Sequence, residues 1–280
     1  MDKIILDNQL IGKYNVSLEL NSHSYGLYSR HKWIKRDFLL TISGVLKSKN
    51  TFIECNGNLN SVFDNDKYFS KRILIDFMYD YINTLDSEII KTKIKNTINK
   101  DFNVKIFKDI TRETNLKNER YLDNKIFKFT DLGKRISNFC FTLSLVTDNL
   151  FVLNADYNYS KEVKDILYSY LTKKNKYNML ICESNDVEVL NKYFEKVIIF
   201  TDYLDAYVID PKKDTFILTN DNIKLKDKLF MFDNMVYTLN NYTKDEFKEL
   251  KKNQKLEVIS FKEMIEKIDS LNIGDRYDFN

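Results

Sequence analysis

Polar and apolar positions alternate at the start of the chain. Residues 3–20 carry KIILDNQLIG and then NVSLEL, where Val16, Leu18 and Leu20 alternate with polar residues, and this predicts strand. SYGLY at 24–28 reads as a short buried strand. RDFLLTISGVL at 36–46 is apolar enough for a buried helix ending near Gly44. TFIEC at 51–55 is a short strand closed by the turn dipeptide Asn56-Gly57.

The period changes over residues 69–100. Phe69, Ile73, Phe77 and Tyr81 recur at helical spacing beside Leu74, Met78 and Ile82, and Ile89, Ile90, Ile94 and Ile98 continue the pattern, which predicts two or three helices. Residues 107–125 are polar and read as a solvated connection. ISNFCFTLSLV at 136–146 predicts a buried helix, and NLFVL at 149–153 a central strand covered on both faces. An amphipathic helix follows at 161–171, then the strand NMLICE (178–183), the helix DVEVLNKYF and the strand KVIIF (196–200). Strands alternating with helices predict a parallel α/β sheet. From about 203 the pattern turns to short strands (AYVID, TFILT, KLEVIS) and helices near 244–254 and 261–271, with Pro211 in a predicted hairpin turn.

Composition narrows the function classes. With 280 residues the chain is long enough for one large domain or two small ones. Its 44 Lys+Arg against 41 Asp+Glu leave a net charge of +3, which gives no electrostatic case for nucleic acid. No apolar run approaches the roughly 18 residues of a membrane span, so no direct membrane insertion is expected. The opening MDKIILDNQL lacks the pattern of a secretory signal. Cys55, Cys140 and Cys182 are far apart and odd in number, which disfavours a disulfide framework or a cysteine zinc site and makes a reducing cytosol the expected compartment. His23 and His31 have no ligand-spaced partner, so no metal site and no histidine-based triad is expected. The chain has 6 Gly and 1 Pro, where average usage gives about 20 and about 14. Phosphate loops need clustered glycine, and this chain has little.

The order of elements nevertheless matches a nucleotide-binding scaffold. In YGLYSRHKWIKRDFLLTISGVLKSKNTFIECNG, Tyr25-Gly26-Leu27 fits a strand before a phosphate loop. Ser43-Gly44, Leu46 and Lys47 fit the turn after the following helix, and Ile53 with Asn56-Gly57 the next strand and hairpin. FSKRILIDFMYDYI, RISNFCFTLSLVTDNLFVL and MLICESNDVEVLNKYFEKVIIF continue the match. Over about residues 10–200 the chain resembles the ATP-binding subunit of ABC transporters, most like the bacterial drug- and bacteriocin-resistance branch. The resemblance implies an α/β fold with a P-loop NTPase-like ABC ATPase core over 1–202, a helical subdomain at about 65–125, and a small α+β extension over 203–280.

The scaffold aligns and the chemistry does not. The family's phosphate loop carries several glycines, whose N–H groups face the phosphates, and ends in Lys-Thr/Ser. Here the loop reads Ser29-Arg30-His31-Lys32-Trp33-Ile34-Lys35-Arg36-Asp37. Lys35 falls where the phosphate-binding lysine belongs, and Arg36 replaces the hydroxyl that ligates Mg²⁺. Trp33 and Ile34 bring bulk to the phosphate position, and Trp33 reads as a plug or contact residue. The second motif should end a strand in Asp-Glu. Asn154-Ala155 stands there, and Asn carries no charge for a hard cation while Ala cannot orient water. Asp156 comes one residue late, on the opposite face of an extended register. The family's histidine after the next strand is replaced by Cys182-Glu183-Ser184-Asn185. The Leu-Ser-Gly-Gly-Gln motif would fall near Lys128 to Leu132, within KFTDLGKR. The adenine-stacking aromatic has no evident counterpart, since Tyr14 lies too close to the strand.

The resemblance therefore implies a pseudo-ATPase: an ATP-binding subunit that has lost hydrolysis. It would partner a membrane permease, a second ATP-binding subunit, or both, in peptide-antibiotic export or immunity, at the cytoplasmic face of the membrane. No cofactor is expected, with ATP and Mg²⁺ bound only if the altered loop still holds phosphates. The residual nucleotide contacts would be Lys35, Arg36 and Asn154; no catalytic or metal-ligating residue is assigned. Read without a nucleotide, Lys35 is a solvated lysine on the first turn of a helix, and Arg30, His31, Lys32, Lys35 and Arg36 form a solvated basic face. Two alternatives stand beside this reading. One is a non-catalytic scaffold that docks a protein partner. The other is a true nucleotide site of unusual geometry built on Lys35 and Asp156.

Overall fold

The computed structural model describes residues 3–21, 23–44, 46, 48–55, 58–61, 103–114, 130–144, 149–153, 155, 159–173, 177–201, 206–219, 228–230, 235–238, 243–253 and 256–270. The chain opens with β1 (Lys3–Ile11) and β2 (Tyr14–Leu20), joined at Gly12, whose φ of +57° is the left-handed conformation that suits glycine. After β3 (Ser24–Tyr28) and α1 (Lys32–Ile42), the strands β4 (Thr51–Cys55) and β5 (Asn58–Ser61) join the first two in an antiparallel sheet of order β2-β1-β4-β5. α1 stops where the sequence predicts. Gly44 adopts φ +72°, and its N–H donates to the Thr41 carbonyl at 3.0 Å.

The second half supplies α2 (Val104–Glu113), α3 (Asp131–Ser144), β6 (Asn149–Val152), α4 (Lys161–Leu171), β7 (Met179–Glu183), α5 (Val187–Tyr193), β8 (Lys196–Phe200) and β9 (Ala206–Ile209). The central sheet runs β6-β7-β3-β8-β9, with the first four strands parallel and β9 antiparallel to β8. Its four parallel strands are buried on both faces, which is why they read as unbroken apolar runs. Phe151, Ile181, Leu27 and Ile198 face the core shared with α1 and the N-terminal sheet. Leu150, Cys182 and Val197 face the core shared with α2, α3, α4 and α5.

Three sequence expectations need correction. Residues 107–125 read as a solvated connection, but Val104–Glu113 is a helix whose Phe107 and Ile110 are buried. Its polar residues hide a narrow apolar stripe, and Asn103 caps it by accepting the Ile106 N–H at 3.1 Å. The strand at 149–153 is buried but not central, since β6 ends the sheet among the described residues. Pro211 does lie in a turn, but no hairpin forms, because β9 pairs with β8 while the next strand belongs to another sheet.

That third sheet, β11-β12-β10-β13, is built from β10 (Phe216–Thr219), β11 (Lys228–Phe230), β12 (Met235–Thr238) and β13 (Glu257–Ile259), with α6 (Lys244–Asn253) and α7 (Phe261–Ser270). Both helices start with capping boxes. Thr243 and Glu246 exchange hydrogen bonds, as do Ser260 and Glu263. The predicted helices at 69–100 lie outside the described residues. Among the described residues, no helix is long and apolar enough to cross a membrane.

Candidate functional site

The loop Ser29-Arg30-His31 leaves the C-terminal end of β3 and enters α1, the place where open α/β sheets bind ligands. The Ser29 hydroxyl, fully buried, accepts the His31 N–H at 3.2 Å. His31 stands at the N-cap but gives no side-chain cap, and the first turn holds no acid. Ile34 is buried, and Trp33 is 41% exposed. The indole of Trp33 covers the Gly12 turn so closely that a Cβ on Gly12 would lie 2.4 Å from Cζ3. Its ring centroid is 6.0 Å from that of Tyr14, and Tyr14 packs edge-on against Phe200. Trp33 thus ties the start of α1 to the N-terminal hairpin, as a contact residue.

Lys35 is fully buried, so the solvated lysine expected from sequence does not occur. Its Nζ lies 2.9 Å from Glu183 Oε1 and donates to Asn185 Oδ1 at 2.7 Å. Sheet topology sets this meeting. β7 lies between β3 and β6, Leu27 pairs with Glu183, and the Ser184 N–H donates to the Leu27 carbonyl at 3.0 Å. The end of β7 therefore adjoins the loop that precedes α1, while the end of β6 is one strand further away. A lysine has three donors, and here two are met by groups of this chain.

The residues after β7 are held in turn. The Asp186 carboxylate caps α5, accepting from the N–H groups of Glu188 and Val189 at 3.1 and 3.3 Å. Its other oxygen accepts from Lys164 Nζ at 2.8 Å. Burial pushes the Asp186 carboxyl upward, but the Lys164 bond and the capping N–H groups outweigh it and hold the group below its ordinary range. Asn185 is thereby fixed beside Lys35.

The other predicted contacts do not gather around this pair. Arg36 is exposed on α1. Asn154 and Asp156 lie outside the described residues, and Ala155 between them is buried. The Lys128–Leu132 region is described only from Thr130, whose hydroxyl accepts the Gly133 N–H at 3.1 Å at the start of α3. Among the described residues, no group of three or more His, Cys, Asp or Glu side chains could hold a metal ion. The sequence reading noted Glu183 and Asn185 only as replacements for a missing histidine. The available signal was a carboxylate at the end of a buried strand, which must find a cation.

Solved structures share this architecture. A cobalt-transport ATP-binding protein (cbiO-2, ST1066) superposes with a TM-score of 0.57 at 14% identity, covering 85% of this chain and 93% of its own. The ATP-binding cassette MJ0796, a dimer in a post-hydrolysis state bound to ADP and Pi, gives 0.52 at 10% identity over 75% of this chain and 98% of its own. cbiO1 from Clostridium perfringens, part of the ABC transporter complex cbiONQ, gives 0.52 at 13% identity over 75% and 88%. No protein-family model and no curated protein matches the chain. The fold is therefore that of the ABC ATPases, a P-loop NTPase architecture, as the sequence resemblance implied.

Proposed function

We propose that the chain is an ABC-type ATP-binding subunit in which an internal ion pair has replaced the phosphate site. It then serves as a non-hydrolysing structural or regulatory partner of a membrane permease or of a second ATP-binding subunit. One observation carries this reading: Lys35, which the sequence resemblance aligns with the family's phosphate-binding lysine, is buried on Glu183 at 2.9 Å and on Asn185 at 2.7 Å. A phosphate would have to displace the buried Glu183 carboxylate from Lys35, and separating the partners of a buried ion pair is strongly unfavourable. The glycine-free sequence from Ser29 to Asp37 supports the same reading. A role in peptide-antibiotic export or immunity, at the cytoplasmic face of a membrane, rests on the sequence resemblance. So does the division into a core over 1–202 and an extension over 203–280.

Calorimetric titration with Mg-ATP and with ADP tests the reading. The expected result is no binding heat at millimolar nucleotide. Saturable micromolar binding that Lys35→Ala abolishes would contradict it and favour a working site on Lys35.

A further inference from the structure

The C-terminal helix α7 reaches the same loop from the other side. Met264, Ile265 and Ile268 form its buried stripe, at the 1, 3 and 4 spacing of a helix face. They join the core cluster that also contains Tyr28, Val189 and Leu190, and α7 packs on α5. Asp269 follows this stripe. Its Oδ2 accepts the Tyr28 hydroxyl at 2.5 Å, across 241 positions of sequence. Its Oδ1 makes no hydrogen bond among the described residues and lies 4.0 Å from Arg30 Nε, a charge pair without hydrogen-bond contact.

Tyr28 is the last residue of β3 and Arg30 the second residue after it, so one carboxylate of α7 hydrogen-bonds the end of the strand and faces the charge of the loop that follows. We propose that α7 is an intramolecular latch on the β3–α1 loop, so that the C-terminal segment and the loop open and close together. The latch goes beyond the proposed function and does not depend on whether the loop binds nucleotide. Whatever draws α7 away breaks the Tyr28–Asp269 hydrogen bond and moves the carboxylate away from Arg30. Coupling of this kind is reciprocal, so a change at the loop must also loosen α7.

Hydrogen–deuterium exchange on the full chain tests it from both ends. A hydrogen bond to a charged group corresponds to about tenfold in a local opening equilibrium. Asp269→Ala should therefore speed exchange over residues 28–33 by about tenfold and leave 196–200 unchanged. Tyr28→Phe keeps the buried ring, so the variant folds even if the first does not, and it should speed exchange over 261–270. Glu266→Ala, an exposed change on α7, should do neither. The latch is overturned if either substitution leaves the opposite element's exchange unchanged. It is equally overturned if Asp269→Ala speeds 196–200 as much as 28–33, since Asp269 would then be an ordinary stability residue.

Discussion

Lys35 Nζ and Glu183 Oε1 stand 2.9 Å apart with both side chains almost fully buried, at 1% and 6% exposure. The pair joins the first helix to the end of the neighbouring strand in the central sheet. Each member needs the other, because a buried charge without its counterion is far more costly than the pair or than two apolar residues in its place. In a phosphate loop a lysine at this position serves a ligand. In the function proposed above, it serves the fold instead.

The Gly12–Trp33 contact gives a second test. Gly12→Ala places a Cβ 2.4 Å from the indole and forces φ +57° on a residue with a side chain. The left-handed conformation alone costs about 1–2 kcal/mol. The variant should lose at least that much stability in urea unfolding. Emission from Trp33, the single tryptophan, should move toward the solvent-exposed value as the ring is displaced. Unchanged stability and emission would show that Trp33 does not rest on this turn.

Asp186 should support the site indirectly. Asp186→Ala removes the cap of α5 and the partner of Lys164, and loss of a cap costs about 1 kcal/mol. The folded carboxyl titrates below its ordinary 3.8, so its contribution is full above that pH and is lost as pH falls through the lower folded value. The wild type should thus lose stability below about pH 4 more steeply than Asp186→Ala. Parallel acid limbs would contradict this.

Cys140 supplies an alkaline counterpart. Burial pushes its thiol from 9.0 up to about 12, against a weaker opposing pull from the Thr114 side chain. The folded value is raised, so the stabilisation is complete below pH 9.0 and is lost as pH rises toward about 12. Iodoacetamide at pH 8 should leave Cys140 unmodified in the native protein and alkylate it in urea, as peptide mapping would show. Native alkylation would place the thiol at the surface.

The parallel sheet was readable because its strands are covered on both faces. LFV, LIC and VIIF carry no polar interruption, so their type follows from sequence, whereas their order in the sheet does not. α2 was not readable as a helix, since Phe107 and Ile110 give too thin a stripe among charged residues to betray burial. Trp33 reads from sequence as a plug or contact residue, and in the structure it packs on Gly12 and Tyr14. Sequence puts Lys35 in the loop-to-helix segment, where it lies, but gives no sign that it is buried. Its partner lies 148 positions away, and only the insertion of β7 between β3 and β6 brings Glu183 to it. Asp269 was invisible for the same reason. Nothing local to an exposed-looking Asp in IEKIDS marks Tyr28 as its donor.

The commitment of Lys35 to Glu183 is measured by equilibrium urea unfolding of two variants. Lys35→Met removes the cation beside the buried carboxylate and should cost about 3–5 kcal/mol. Lys35→Met combined with Glu183→Leu replaces the whole pair with apolar side chains and should recover most of that loss, ending within about 1 kcal/mol of the wild type or above it. A Lys35→Met protein as stable as the wild type would contradict the account, because it would mean that Lys35 is held for something other than Glu183.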